Sequence, residues 1–147
     1  MQGWLLRACC LPWVAALAWA CQSPVDSSSG PRASVVGLWS YSATQTSPSN
    51  ATLTGTPEIT SQAGRDFDGR LDVTETDAQG AVRPLSGIVS GRAIDSVSVD
   101  FDAFLDLVAR RHVGTLVGDS IRGTWVVLVP GGGTSSGSFR GARSSGP

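Results

Sequence analysis

A five-residue pattern, apolar-x-Gly-x-apolar, recurs along this chain between residues 53 and 143. Full copies are Leu53–Pro57, Phe67–Leu71, Leu85–Val89 and Ile121–Trp125. His112–Leu116 carries His in the first slot, and Phe139–Arg143 carries Arg in the last. In a strand, side chains alternate between faces, so each glycine shares a face with the apolar residues around it. The opposite face takes Asp66, Asp68, Arg70, Asp72, Thr52, Thr54, Thr56 and Thr74, which suits water. Glycine inside a strand costs packing and entropy and marks a bend or a close approach. A sheet that curls until it closes uses such kinks, whereas an open sandwich needs fewer of them.

The rest of the chain agrees with short strands. Eighteen glycines and eight prolines punctuate it, and no long window has a helical period. The alternation predicts strands over 35–43, 51–61, 65–77, 82–93, 96–102, 110–117, 120–129 and 138–143. The segments between them, such as SPSN, DAQG and PGGGTSS, carry turn chemistry. FDAFLDLV, residues 101–108, reads either as a strand end followed by a short helix or as a bulged strand. The expected fold is therefore all-β: a small antiparallel up-and-down β-barrel of about eight strands over residues 35–143, with a disordered tail at 144–147.

The first twenty residues have a different character. Arg7 precedes an apolar run, residues 8–20, that is shorter than the roughly 20 residues a membrane-spanning helix needs. Ala18 and Ala20 supply the small residues of a cleavage site before Cys21, so residues 1–20 read as a signal peptide. Cys9 and Cys10 leave with it, and the mature chain keeps the single Cys21. This stretch resembles the lipobox of bacterial lipoproteins, with Leu17 one place early and Trp19 bulky for its position. The resemblance implies lipidation of Cys21, a membrane anchor, and, with Gln22 next, sorting to the outer membrane. Acyl chains contribute about 0.8 kcal/mol per buried CH₂, so more than one chain holds stably. Residues 21–34, rich in Ser and Pro, read as the lipidated N-terminus and a flexible tether.

Gly37-Leu38-Trp39 lies on the first strand, and Arg143 lies on the last. A G-x-W on strand one, an antiparallel meander and a late Arg resemble the calycin superfamily of lipocalins, avidins and fatty-acid-binding proteins. The resemblance implies that Trp39 plugs one barrel end and that Arg143 packs across its ring, a cation–π pair. Arg140 is the second choice for that role. No length remains after Arg143 for a lipocalin's C-terminal helix. Only Trp39 and Trp125 remain in the mature domain, which argues against a biotin site.

Catalytic and metal chemistry find little support. His112 is the only histidine, and alternation points it inward. It reads as a polar contact for a ligand near a barrel mouth, or as a rim histidine bonded to backbone or water. Gly133–Gly137 fits G-x-S-x-G formally, yet no Asp or His follows Ser135. Asp95, Asp100, Asp102 and Asp106 flank a strand, without the spacing of a calcium loop. Alternation puts Val97, Val99 and Phe101 inside. Net charge is −1 with no basic block, which excludes an electrostatic footprint for nucleic acid. No cofactor motif is present, and the expectation is a non-enzymatic protein.

The reading is thus an exported lipoprotein whose barrel binds a small apolar or amphipathic ligand. Its candidate contacts are Trp39, Tyr41, Phe67, Leu85, Phe101, His112, Trp125 and Phe139. Leu71, Val89, Val99 and Leu116 complete the expected lining. The same residues would also fill a barrel without a cavity, which would act as a structural or protein-interaction module of the envelope. A hydrolase or isomerase built on His112 and a nearby Asp is the remaining alternative.

Overall fold

A computed structural model describes residues 33–129 and 133–144 of the chain. The signal peptide, Cys21, the tether up to residue 32, residues 130–132 and the last three residues lie outside the described residues. Eight strands follow one another: β1 (Gly37–Ser47), β2 (Ala51–Ala63), β3 (Asp66–Asp77), β4 (Val82–Ala93), β5 (Ser98–Leu105), β6 (Val108–Val117), β7 (Ser120–Val129) and β8 (Gly133–Arg143). Each pairs antiparallel with the next, and β8 closes on β1 through Trp39↔Arg143 to Ser47↔Ser136. The molecule is a closed up-and-down barrel, so no sheet edge is left to pair with another chain.

The alternating pattern explains the closure. Along β3, Phe67, Leu71 and Val73 are buried while Asp66, Asp68, Arg70 and Asp72 face water. Between the apolar residues stand the glycines of the repeat, where neighbouring strands approach too closely for a side chain. A Cβ on Gly87 would collide with the carbonyl oxygen of Phe104, and one on Gly123 with that of Val113. These are the bends that let eight strands wrap around a narrow core.

Several local expectations change. β5 runs on to Leu105, and β6 begins at Val108. The ambiguous 101–108 segment is neither helix nor bulge but a two-residue hairpin, with Asp106 at φ 49° and Leu107 at φ 64°. Positive φ at both central residues matches the right-handed twist of the flanking strands. Val97 is exposed in the β4–β5 connection, where the Asp95 carboxylate accepts the amide hydrogens of Val97 and Ser98. β8 begins at Gly133, earlier than expected, because β7 and β1 both offer it partners. Ser135 therefore lies in a strand, donating its hydroxyl to Gln45 Oε1. Residues 33–36 are pinned to the barrel rather than belonging to a tether or a first strand. Ser144 is likewise held, its amide bonding Leu38 O.

Candidate functional site

One end of the barrel is plugged by the incoming chain. Val35 is buried under the strands, its amide donating to Gln62 Oε1, while Gln62 Nε2 donates to Ala33 O. Trp39 turns inward, and its indole N–H donates to Val35 O at 2.9 Å. The Arg143 guanidinium stands 4.7 Å from the Trp39 ring centroid. It also donates to the carbonyls of Ser34 and Val36 and pairs with Asp119 at 3.1 Å. Arg143 thus fastens the plug to the last strand, and Arg140 points outward to solvent.

Above the plug lies a chamber of about 50 Å³. Its walls include Val35, Trp39, Tyr41, Pro57, Ile59, Phe67, Leu71, Val89, Val99, Phe101, Leu116, Ile121 and Phe139. Phe101 is the half-buried member among the aromatic walls. Of the candidate contacts, Trp39, Tyr41, Phe67, Phe101 and Phe139 line this space, and Leu85, His112 and Trp125 do not. Leu85 packs toward the opposite end. Val35, Pro57, Ile59 and Ile121 were not anticipated. Pro57 and Ile121 occupy apolar slots of the glycine repeat, so the repeat itself carried the signal.

His112 sits at neither rim nor mouth. It is fully buried, because its slot in β6 faces the core between Phe101 and Trp125 on the neighbouring strands. Its ring stacks on Phe101, with centroids 4.4 Å apart and planes within 9°, and meets Phe139 edge-on at 4.9 Å. Nδ1 lies 2.7 Å from Arg110 O, and Nε2 lies 2.9 Å from the Tyr41 hydroxyl. A carbonyl only accepts, so Nδ1 carries the proton, and the Tyr41 hydroxyl donates to Nε2. Burial pushes the His112 pKa down to about 4 and holds the Tyr41 phenol well above its ordinary value. The pair is a satisfied, neutral element of the core. Among the described residues its two ring nitrogens bond Arg110 O and the Tyr41 hydroxyl, and neither bonds an aspartate.

The opposite end carries charged groups at its rim, Arg83 and Asp106 exposed and Arg110 half-buried. Arg83 pairs with Glu75 at 2.6 Å and with Asp106 at 3.3 Å. The half-buried Arg110 reaches Leu105 O at 3.5 Å, and burial lowers its pKa. The buried Trp125 indole N–H, beside Gly137, has no hydrogen-bond partner. Asp100 is held by Arg111 across β5 and β6. Among the described residues no group of three or more His, Cys, Asp or Glu side chains converges on one point.

No protein-family model matches the chain, and no curated protein sequence matches it. Solved structures do. EF1p2_mFAP2b bound to DFHBI superimposes with a TM-score of 0.59 at 13% identity, covering 74% of this chain and 93% of that one. A redesigned beta barrel, mFAP1, also bound to DFHBI, gives 0.53 at 13% identity, covering 74% and 94%. The S-type phycobiliprotein lyase CPES from Guillardia theta gives 0.50 at 12% identity, covering 77% and 90%. They share the fold. At these identities the likeness reaches the barrel architecture, which is also that of the calycins.

Proposed function

We propose that this chain is an exported lipoprotein, anchored through Cys21, whose barrel takes up one small apolar molecule at its plugged end without catalysing a reaction. The observation that carries the reading is the chamber above Trp39, lined mainly by apolar and aromatic side chains. Apolar walls of this kind favour an apolar guest over water. Solved barrels of the same fold hold a small molecule, DFHBI, which supports the reading by analogy. At about 50 Å³ the chamber admits only a few heavy atoms, against roughly 300 Å³ or more for a drug-sized ligand. A larger guest would require Phe101 to swing outward. The Cys21 anchor would place the barrel in the bacterial cell envelope, at the outer membrane.

The size of the chamber also favours a second reading, a filled barrel that acts through its surface in the envelope. Native mass spectrometry of the full-length chain, purified gently from its own host, separates the two. The first reading expects an adduct that leaves on collisional activation and is missing from Val89→Trp, which fills the chamber. An apo mass for the wild-type chain would favour the filled barrel.

A further inference from the structure

The outer face of the barrel is divided by charge. Strands β6, β7, β8 and β1 contain no aspartate or glutamate. The carboxylates of the described strands lie on β2, β3 and β5. There Glu58, Glu75, Asp66 and Asp100 pair with Arg70, Arg83, Arg92 and Arg111. Asp119, in the turn before β7, is taken by Arg143. On the carboxylate-free face Arg122 and Arg140 stand directly opposite each other across β7 and β8. Neither has an ion pair among the described residues.

Directly opposed like charges destabilise a sheet, because facing Cβ atoms are only about 5 Å apart. Here no carboxylate among the described residues pairs with either arginine to offset the repulsion. The surroundings suit a bound anion instead. The row through the two arginines continues to Ser42 and Thr54 on one side and to Thr115 and Ser98 on the other. A groove of about 660 Å³ runs along this face between Arg122, Arg140 and the serines of β1.

We propose that Arg122 and Arg140 form a site for a phosphate group, each guanidinium fork donating to two of its oxygens and the flanking hydroxyls completing the shell. This site is separate from the interior chamber. The phosphate could belong to a soluble phosphomonoester or to a lipid headgroup, since the recognition chemistry is the same.

The test is thermal unfolding of the full-length chain in neutral detergent, with inorganic phosphate replacing chloride at constant ionic strength. Wild type should gain about 5–8 °C at tenfold excess over a millimolar dissociation constant. R122Q and R140Q should each lose most of that gain, and R122Q/R140Q all of it. Relief of repulsion should leave the phosphate-free midpoints of the variants unchanged or raised. The general salting effect of phosphate acts on every variant alike. An equal rise in wild type and in R122Q/R140Q would overturn the proposal, as would no rise in wild type. Glycerol phosphate and dihexanoyl phosphatidic acid distinguish the sources: an equal gain assigns a soluble phosphate, and a larger gain with the lipid assigns a headgroup.

Discussion

At the scale of single residues, the buried His112–Tyr41 pair couples the fold to pH. In the unfolded chain His112 titrates near its ordinary value of about 6.5, while in the barrel it holds out to about 4. The unfolded state therefore takes up the proton first as pH falls. The stability present above pH 6.5 is lost progressively down to pH 4, and amounts to about 2 kcal/mol between pH 7 and pH 5. Denaturant unfolding across that range should show the loss in wild type. It should be absent from Y41F/H112F, where both partners are replaced by apolar rings of similar shape. H112F alone should cost more than the double variant, because it strands the Tyr41 hydroxyl in the core, a penalty of about 1–3 kcal/mol. Equal costs for the two would mean that the hydrogen bond carries no weight. An inward histidine was legible from the alternation of β6. Its depth was not, because burial depends on how far Phe101 and Trp125 on neighbouring strands cover it.

At the scale of strands and turns, the glycine repeat and the hairpins decide the shape. Gly87→Ala should destabilise the barrel by about 1–3 kcal/mol, since the new Cβ meets Phe104 backbone and β4 or β5 must shift. The same substitution at Gly80, where a Cβ would meet no atom within 4 Å, lacks that collision and carries only the strain of its φ of 83°. The β5–β6 turn is the opposite case. Leu107 occupies left-handed backbone while wholly exposed, so it carries strain and buries nothing. Replacing Asp106-Leu107 with Asn-Gly should raise the unfolding midpoint by the equivalent of about 1 kcal/mol. A lower midpoint would show that the exposed Asp106–Arg83 pair matters more than the turn. These two elements also mark where sequence reading succeeds and stops. The repeat announced curvature because glycine on a buried face has few other uses. The turn went unseen because Asp-Leu is not a pair that favours positive φ, and the hairpin geometry is imposed by the strands on either side.

At the scale of the whole molecule, the barrel has a plugged end and a polar end, and its outer surface has a charged half and a hydroxyl-rich half. The order and number of strands were readable because each strand is short, alternating and bounded by turn residues. Trp39 and Arg143 were readable as a pair through the calycin resemblance, and closure of β8 on β1 brings them together. What alternation could not show was how much of the interior is filled. It assigns Leu85 and Phe67 to the same inner face, yet one packs solid and the other borders a space. That difference arises from how the eight strands and the Val35 plug fill the interior together, which is not a property of any one strand.

The chamber is open to direct measurement with xenon, an apolar atom of about the volume it offers. Methyl resonances of the full-length chain would be followed under a few bar of the gas. Saturable shifts should be confined to Val35, Ile59, Leu71, Val89, Val99, Leu116 and Ile121, with Leu53, Val73 and Leu105 at the other end unmoved. No shifts, or shifts spread evenly over both ends, would contradict an apolar binding chamber at the Trp39 end.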